Sequence, residues 1–386
     1  MDNRPITLIY DPITFKGGSK VATSDALALC PTTDQKFVVI TADKQYWENT
    51  EFCQQDDTSV YHLPLAKWLT RHHYGILYWI EQYIASLLLL FFIARFSKVT
   101  KLIGASGPGI DMPLYIVHQW LNIEVIQWVH GNVGCSRSIG RCLTLASAVF
   151  YLPSAKKSMR IAIEHYFKSK TDIEDISAIA SNYLSCDHYY ETINGIAASR
   201  WPTRCQTDFP VGFWAASLLK WKGLDTLIDA MRHAQMIRPL ALNVCFIRPK
   251  NTELPVSKAP VILKYTTWHQ DPDNLDEIRS QSNIFISTSH SEPFGLSILE
   301  ALASGMCVLI PEDGSYWDQK LTHNVNCVKY QPNDPNSLCN ALLYTFNQRE
   351  VMQQCCQNAL IIAQTYQAEK QYAKFAQYMN SQLVTA

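Results

Sequence analysis

The stretch SHSEPFGLSILEALASGMCVLIPEDG, residues 289–314, decides the fold expected of this chain. It follows the apolar run NIFIST at 283–288, turns at Pro293 to Gly295, and enters a helical pattern that ends before the run CVLIP at 307–311. A strand, a tight turn, a helix and a second strand in this order form a βα unit of a parallel sheet. The free amides and the positive dipole end of such a helix can hold a phosphate group.

Two glutamates flank the start of this predicted helix. Glu292 lies just before it, and Glu300 lies about a turn and a half inside it. Their carboxylates could bracket a ligand that rests on the helix end, and a diphosphate with a sugar on each side has that shape. Alternatively, Glu292 is a charge that favours the helix start and Glu300 is a solvated helix residue. The two residues taken alone leave both interpretations open.

The same alternation of short apolar runs and helical patterns continues along the chain, which predicts an α/β fold with parallel sheets. In the first half we expect strands at 6–10, 36–41, 60–63, 101–105, 124–129 and 148–152. In the second half we expect strands at 211–217, 242–247, 261–266, 283–288, 307–311 and 326–330. The polar stretch 194–210 separates the two series, so two sheets of similar size are expected. Three helical segments end the chain, at 336–347, 351–366 and 369–383.

Composition bounds the class of protein. The chain has 386 residues, of which 47% are hydrophobic and 17% are charged, as in globular proteins with large cores. At roughly 100 to 200 residues per domain, this length favours two or three domains. Lys plus Arg is 33 and Asp plus Glu is 34, which gives a net charge of -1. This balance excludes a polybasic protein, and we expect no nucleic-acid partner.

The cysteines and the N-terminus indicate the compartment. The twelve cysteines form no CxxC pair, so neither a zinc-ligand spacing nor a redox motif is present, and a reducing compartment is favoured. The first residues, MDNRPITLIYDP, contain no long apolar stretch and no small-residue cleavage site, so we expect no signal peptide. The sequence therefore predicts a cytoplasmic protein.

The motif around the two glutamates resembles a known signature. The spacing E(x7)E, with PFG after Glu292 and EALASG around Glu300, is similar to the signature of family 4 (group 1) glycosyltransferases, retaining enzymes of GT-B fold. The resemblance spans most of the chain, strongly after Asn194 and weakly before it. Four further stretches resemble segments of that family: ASLLKWKGLDTLIDAM at 216–231, ETINGI at 191–196, FKGGSKVA at 15–22 and WVHGN at 128–132.

This resemblance implies an architecture. The fold is expected to be α/β of the GT-B type, with two Rossmann-like domains that face each other across a cleft. Residues 1–195 would form an N-terminal acceptor-binding domain, and residues 196–366 would form the nucleotide-sugar-binding domain. Residues 367–386 would form a helix that crosses back to the N-terminal domain.

The resemblance also implies roles for individual residues. Lys222 would neutralise the donor diphosphate, Glu300 would bind the ribose hydroxyls, and Glu292 would contact the transferred sugar near its reacting carbon. His130 would hydrogen-bond the donor sugar from the opposite domain, so Glu292, Lys222 and His130 are the expected catalytic residues. The expected donor-binding residues are Gly17, Gly18, Ser217, Lys222, Pro293, Phe294, Gly295, Leu296 and Glu300. At Gly17 and Gly18 the backbone would approach either the phosphates or the acceptor closely.

One position departs from the family pattern. Alignment of ASLLKWKG with the family segment places Ser217 where an Arg usually pairs with the Lys on the diphosphate. The change removes a charge-assisted contact worth roughly 1.5 to 3 kcal/mol. A neighbouring base could replace it, or donor binding could be weaker than is usual. The candidate bases are Lys220, Arg248 and Arg137.

Two other motifs carry weaker signals. Asp271 and Asp273 have the DxD spacing of metal-dependent glycosyltransferases of the other major fold, but they precede a helical pattern, and we interpret them as helix-start residues. We therefore expect no metal and no cofactor beyond the nucleotide-sugar donor. GASGPG at 104–109 has the spacing GxxGxG, whereas a dinucleotide fingerprint needs GxGxxG, so we expect a flexible loop that faces the cleft.

The N-terminal half carries a local positive charge and an aromatic segment. Ten bases stand against three acids between Val60 and Arg160. Aromatic and basic residues are interleaved in 63–92, a mixture suited to lipid headgroups, and peripheral contact with the inner face of a membrane is one interpretation. The alternative is a helix pair packed on the sheet, which we expect for 84–94, because these 11 apolar residues are fewer than the about 20 that span a bilayer. The candidate membrane or acceptor surface is formed by Lys67, Trp68, Arg71 and His72.

Together these patterns predict an enzyme, a retaining glycosyltransferase of the hexosyltransferase type. It would move a sugar from a UDP-linked or GDP-linked donor to a hydroxyl of a glycan or lipid-linked acceptor, in bacterial surface polysaccharide synthesis. Another GT-B enzyme that acts on nucleotide sugars, such as an epimerase, is the nearest alternative. A non-catalytic scaffold that binds sugar nucleotides is the other alternative, prompted by Ser217.

Overall fold

The computed structural model describes residues 4–64, 66–96, 98–169, 175–249 and 254–381. The chain divides into two compact units. Unit 1 comprises Met1–Gly195 and Ala368–Ala386, and unit 2 comprises Ile196–Gln367. Each unit contains one parallel β-sheet with helices between successive strands, which confirms the expected α/β class.

Unit 1 is built on a seven-stranded sheet in the order β3-β2-β1-β4-β5-β6-β7. Its strands are β1 (Ile6–Asp11), β2 (Lys36–Thr41), β3 (Thr58–His62), β4 (Val99–Gly104), β5 (Glu124–Val129), β6 (Ala148–Tyr151) and β7 (Tyr189–Glu191). Its helices are α1 (Gly18–Ala28), α2 (Lys44–Glu48), α3 (Ala66–Leu69), α4 (Gly75–Arg95), α5 (Met112–Leu121), α6 (Arg137–Leu145), α7 (Lys156–Lys168) and α8 (Ile176–Leu184).

Unit 2 is built on a six-stranded sheet in the order β10-β9-β8-β11-β12-β13. Its strands are β8 (Val211–Ser217), β9 (Ala241–Ile247), β10 (Thr266–Gln270), β11 (Ile284–Ile286), β12 (Cys307–Pro311) and β13 (Cys327–Tyr330). Its helices are α9 (Leu224–Ile237), α10 (Leu275–Ser280), α11 (Leu296–Ala303), α12 (Tyr316–Lys320), α13 (Pro335–Asn347) and α14 (Arg349–Ala363). The chain then returns to unit 1 as α15 (Ala368–Gln371) and α16 (Ala373–Ser381).

The strand order creates one switch point in each sheet. In unit 1 the chain moves outward from β1 to β3 and then crosses to β4 on the other side of β1. In unit 2 it moves outward from β8 to β10 and then crosses to β11 on the other side of β8. Loops that leave two such neighbouring strands diverge, and the crevice between them is where open α/β sheets bind ligands.

The edge strand β10 lies later in the chain than the sequence predicts. We expected a strand over 261–266, but the structure pairs Thr266–Gln270 with β9, in the register Thr266↔Leu242 to Gln270↔Phe246. Val261 and Leu263 pack against the core from outside the sheet. An edge strand is covered on fewer sides than a central one, so the polar sequence TTWHQ is tolerated there. The prediction for this strand was wrong.

Helix α4 is longer than predicted. The sequence predicts a helix over 84–94, the longest apolar run of the chain, which has 11 residues. The structure shows one helix of 21 residues, Gly75–Arg95, with the polar side chains of Glu81 and Gln82 buried. By length and composition this helix could cross a membrane, with a mean hydropathy of 1.8 over an 18-residue window of which 39% is buried.

The C-terminal helices close the core of unit 1. Phe375 of α16 packs on Trp128 and Phe150, with ring centroids 4.7 and 5.1 Å apart. The Gly195 amide donates a hydrogen bond of 3.0 Å to the Tyr372 hydroxyl. We expected one helix over 369–383, whereas the structure has the two short helices α15 and α16. Residues 382 and 383 of the expected helix lie outside the described residues.

We predict that Phe375→Ala destabilises the protein by about 3 to 5 kcal/mol, because the side chain is fully buried among aromatic rings of β5 and β6. Lys374→Ala is the matched control, since Lys374 is exposed on the same helix. Urea unfolding followed by circular dichroism measures both changes. Equal midpoints for the two variants would show that α16 adds nothing to the core of unit 1.

Candidate functional site

The switch point of unit 2 brings together the two segments that the sequence singled out. Strand β8 ends at Ser217, and the following turn places Lys220–Lys222 ahead of Gly223. The neighbouring strand β11 ends at Ile286 and leads through 287–295 into α11. Because the two strands are parallel and adjacent, both segments leave the same edge of the sheet.

Three hydrogen bonds tie these segments together. The Thr288 hydroxyl donates to the Lys222 carbonyl at 2.8 Å and accepts from Trp214 Nε1 at 3.0 Å. The His290 amide donates to the Trp221 carbonyl at 2.8 Å. The backbone of the β8 turn is therefore held against the segment that carries Glu292.

Lys222 and Glu292 form the central ion pair of this site. Lys222 Nζ lies 2.5 Å from Glu292 Oε2, and both side chains are largely buried. The same ammonium group lies 3.9 Å from the centroid of the Trp221 ring, close enough for a cation–π contact. Because water screens charges less at such a buried site, the lysine charge acts more strongly on nearby groups, and its two contacts fix its position.

The start of α11 is fixed by an aromatic cluster. Phe294 is buried and packs on Tyr316 and Trp317, with centroids 4.9 and 5.3 Å apart. Gly295 adopts φ +80°, and its carbonyl accepts from Trp317 Nε1 at 3.3 Å. The buried side chain of Phe294 therefore anchors the turn that precedes α11. Pro293 and Leu296 are half-buried on either side.

Glu300 belongs to a separate ion-pair network. Its Oε2 lies 2.9 Å from Arg279 Nη2, and its Oε1 lies 3.9 Å from Arg200 Nη1. Arg279, from α10, also pairs with Asp276 at 2.9 Å. Each of the two glutamates of the motif thus has its own basic partner. The sequence analysis did not identify Arg200 or Arg279, because the local pattern around each arginine gives no sign of a contact with Glu300.

The position of Ser217 has a base beside it. Ser217 pairs with Ile247 in the sheet, so Arg248 follows directly at the end of the neighbouring strand. Arg248 Nη2 donates to the Ala259 carbonyl at 2.7 Å, and the residue is exposed. Of the other two candidate replacements, Lys220 lies 3.9 Å from Asp225, and Arg137 begins α6 in unit 1. Arg248 is the candidate that the strand register favours.

A polar cavity of about 260 Å³ adjoins the same edge of the sheet. Its walls come from the segment after β11 and from the ends of β12 and β13, including His290, Asp313 and Tyr330. The Tyr330 hydroxyl donates to the Ser287 carbonyl at 2.7 Å, which holds β13 against the segment that leads to Glu292. Asp271 and Asp273 lie in the turn before α10, outside the residues that line this cavity.

Unit 1 has a cavity of about 130 Å³ at its own switch point. The glycine-rich segment after β1 lines one side, including Gly17, and Ala105 and Ser106 of the GASGPG segment line the other. Gly18 is the first residue of α1. Sequence reasoning missed the buried base of this cavity, Lys20, although it lies within the motif FKGGSKVA.

Lys20 organises the floor of this cavity. Its ammonium group lies 3.0 Å from Asp11, 3.2 Å from Asp43 and 2.8 Å from the Ile13 carbonyl. Asp11 also accepts from Trp47 Nε1 at 2.7 Å. A base surrounded by these oxygen acceptors is paired within the unit, so the polar floor is preorganised.

His130 follows β5 in unit 1 and is held as a neutral ring. The Thr23 hydroxyl donates to the Ser19 carbonyl, so it accepts a hydrogen bond from His130 Nε2 at 2.9 Å. Nδ1 is then the unprotonated nitrogen, and it is buried without a partner among the described residues. Burial lowers the pKa of His130 to about 3, and the ring stacks on Trp128. The histidine can therefore accept a hydrogen bond at neutral pH.

Asp111, at the start of α5, is a fully buried carboxyl group. Its Oδ2 accepts from the Ser106 amide at 3.0 Å and from Gln127 Nε2 at 2.8 Å, while Oδ1 has no partner among the described residues. Burial raises the pKa of Asp111 to about 8, although the Gln127 hydrogen bond opposes the shift. Burial therefore favours the neutral, protonated form of this group.

The residues proposed from sequence for a membrane or acceptor surface lie around α3 and the start of α4. Lys67, Trp68 and Arg71 are exposed. His72 instead turns toward Glu81: its amide donates to Glu81 Oε2 at 3.0 Å, and its ring forms a second, short contact with Oε1. Three of the four side chains therefore face solvent, and the fourth is engaged within unit 1.

Part of unit 2 resembles a known protein family. Residues 196–360 match the family model described as glycosyl transferases group 1, which covers most of unit 2. In sequence the chain is similar to probable sucrose-phosphate synthase 1 of Oryza sativa subsp. indica, with 26% identity over 165 residues. That match covers 38% of this chain and 15% of the rice protein.

Solved structures identify the fold. The chain is similar to Anabaena HepE in complex with UDP and glucose, at 15% identity and TM-score 0.68, covering 98% of this chain and 100% of that one. It is equally similar to sucrose-phosphate synthase from Thermosynechococcus elongatus, at 15% identity and TM-score 0.68, with both chains fully covered. The fold is GT-B, with two Rossmann-like domains. These neighbours share the fold of the chain, and the family model matches residues 196–360 within it.

We predict that Gly223→Ala disrupts the switch point of unit 2. A Cβ at Gly223 would lie 2.0 Å from the Thr288 carbonyl oxygen, and the residue has φ +73°. Gly314→Ala is the matched control, because Gly314 has the same φ but no atom within 4 Å of a Cβ. Backbone strain alone costs about 1 to 2 kcal/mol, and the clash at Gly223 should add about 1 to 3 kcal/mol. Equal unfolding free energies in urea would exclude this close packing.

We predict that Asp111→Asn changes how stability depends on pH. Between the ordinary pKa of 3.8 and about 8, folded wild-type protein keeps a proton that the unfolded chain releases, so its stability falls as pH rises through this window. The asparagine variant has no such pH-dependent loss, so its free energy of unfolding should increase relative to that of wild type from pH 4 to pH 8. Urea unfolding across this range measures the difference, with the exposed Asp56→Asn as control. Parallel curves for wild type and Asp111→Asn would contradict burial of a neutral acid.

Proposed function

We propose that this chain is a glycosyltransferase that uses a nucleotide-diphosphate sugar, UDP-linked or GDP-linked, as its donor. The observation that carries the proposal is the Lys222–Glu292 ion pair, held at the switch point of unit 2 beside the first amides of α11. A fixed cation and a helix N-terminus together suit a diphosphate, and the carboxylate beside them suits sugar hydroxyls. UDP is the first nucleotide to test, because Anabaena HepE was crystallised with UDP and with UDP-glucose.

Donor binding would exchange the partner of Lys222. In the structure Glu292 neutralises Lys222 at 2.5 Å. A bound diphosphate carries more negative charge than a carboxylate and would draw the ammonium group to itself, which frees Glu292 for the sugar. Arg248, at the end of the strand beside Ser217, would supply the second positive charge that the missing arginine usually gives. Glu300, supported by Arg279, would hold the ribose.

The chemical step proposed is transfer with retention, as in family 4 enzymes. The acceptor hydroxyl oxygen forms a bond to the anomeric carbon on the face from which the diphosphate leaves. The bond from that carbon to the diphosphate oxygen breaks, and the proton of the hydroxyl passes to the leaving diphosphate. Lys222 and the helix dipole stabilise the charge that grows on the diphosphate, so catalysis rests on positioning and electrostatics. We propose that no metal takes part.

The acceptor proposed is a hydroxyl of a glycan or of a lipid-linked sugar, in the synthesis of a bacterial surface polysaccharide. Unit 1 would bind it through the cavity beside Gly17 and Lys20. The second candidate function is a non-catalytic binder of sugar nucleotides, which Ser217 in place of an arginine favours.

We predict that UDP, GDP or their sugar conjugates raise the melting temperature of the protein, and that the shift survives EDTA. A ligand at 100 times its Kd stabilises by about 2.7 kcal/mol. Lys222→Ala and Arg248→Gln should each weaken binding roughly 10- to 100-fold, because each removes a charge-assisted contact. Lys220→Gln, on the same turn as Lys222, is the matched control and should bind normally. Glu292→Gln should bind the nucleotide at least as tightly, while sugar transfer falls about 100-fold.

The variants separate the alternatives. Normal nucleotide binding by Lys222→Ala would contradict the donor site. Nucleotide binding without transfer or hydrolysis in wild type, for any acceptor extract tried, would favour the scaffold. Epimerisation of the donor without an acceptor would identify the other class of GT-B enzyme.

A further inference from the structure

Helix α4 of unit 1 is built with its polar side chains inward and its apolar side chains outward. Glu81, Gln82 and Ser86 are buried, with exposed fractions of 1%, 4% and 0%. On the opposite side, Leu87 and Phe91 are exposed by 60% and 66%. A helix on the surface of a globular protein ordinarily has the reverse arrangement, so the outer face of α4 needs a partner.

The exposed face is broad, continuous and uncharged. At 3.6 residues per turn its members cover about half of the circumference of a helix about 30 Å long. No Asp, Glu, Lys or Arg lies on it before Arg95, because Glu81, the other charged residue of α4, is buried against His72. The exposed large apolar residues of this face are Ile76, Leu77, Trp79, Ile80, Tyr83, Leu87 and Phe91.

The surroundings of α4 are basic. Between Thr58 and Ile123 the chain has two acids, Glu81 and Asp111, and both are buried. Exposed bases precede and follow the helix instead: Lys67, Arg71, Arg95 and Lys98. An apolar face with bases near both ends complements a bilayer surface that presents acyl chains below anionic headgroups.

The inner side of α4 excludes a membrane-spanning role. Leu89, Phe92 and Ile93 belong to the core of unit 1, and the Tyr78 hydroxyl donates to the Gly109 carbonyl at 2.7 Å. The helix therefore lies along the surface of unit 1. A second copy of the chain is a poorer partner, because a two-helix seam uses a narrower stripe and is usually flanked by charges that fix its register.

We propose that the outer face of α4 is a membrane-docking surface that lies in the plane of the bilayer and prefers anionic lipids. The apolar face enters the interface between headgroups and acyl chains, and the bases near its two ends contact the headgroups. Trp68 and Trp79, both exposed, have the amphipathic rings that favour the headgroup level. This surface goes beyond the donor site and belongs wholly to unit 1.

Sedimentation with lipid vesicles tests the proposal on the full chain. The vesicles consist of phosphatidylcholine alone or of an equal mixture with phosphatidylglycerol, and they contain no glycolipid, so a lipid-linked acceptor cannot account for binding. Wild type should bind the mixed vesicles, and high salt should weaken this binding. The variant Ile80→Gln/Leu87→Gln/Phe91→Gln should bind about tenfold or more weakly, because it removes three exposed apolar groups.

The matched control is Met236→Gln/Ile237→Gln/Ile361→Gln, which changes three apolar residues of unit 2 helices that are at least as exposed as those of α4, and it should bind vesicles as wild type does. The affinity of Lys67→Gln/Arg71→Gln for mixed vesicles should fall about fivefold per base removed, and its affinity for phosphatidylcholine vesicles should not change. If the variants keep the melting temperature of the wild type, and the same change of melting temperature with nucleotide, they are folded. This control holds whether or not the proposed donor site is correct. Equal vesicle binding by the two triple variants would overturn the proposal. The proposal would also be overturned if the wild type were a dimer that binds no vesicles and only the α4 variant were a monomer.

Discussion

The close approach of two segments at the carboxyl edge of the unit 2 sheet is the constraint on which the candidate site depends. Gly223 lies against the Thr288 carbonyl so closely that no side chain could stand there. This contact sets Lys222 opposite Glu292, and the aromatic cluster around Phe294 fixes the helix that follows. The charges of the site are therefore placed by backbone packing before any ligand arrives, which is the condition for electrostatic stabilisation without reorganisation.

The same topology yields different chemistry in the two units. Both have a switch point with a glycine beside it, yet the unit 2 site pairs a largely buried cation with a single carboxylate, Glu292. The unit 1 site buries Lys20 between two carboxylates and keeps His130 and Asp111 neutral. A paired cation that can exchange partners suits an anionic ligand, whereas neutral groups with an unused acceptor suit hydroxyls. This division is in keeping with the donor proposed for unit 2 and the acceptor proposed for unit 1.

Helix α4 shows how a buried polar group and an exposed apolar face are linked. Glu81 can stay inside because His72 satisfies its carboxylate. With its acid turned inward, the outer half of the helix carries no charge that would oppose contact with lipid. The sequence pattern alone gave the wrong helix length, because the apolar run over 84–94 leaves out Glu81 and Gln82, which the structure buries.

The sequence by itself determined the alternation of strands and helices and the α/β class, and it singled out Lys222, Glu292 and Glu300 as candidates, since periodicity and short motifs are local. The tertiary structure decided which charges meet. Lys222 and Glu292 are 70 residues apart, and the Arg279 that holds Glu300 belongs to another helix. The tertiary structure also placed the polar sequence 266–270 in edge strand β10 and buried Phe294 in the aromatic cluster that fixes the start of α11. Ion pairs and burial depend on distances in space between residues remote along the chain, and no local pattern encodes those distances.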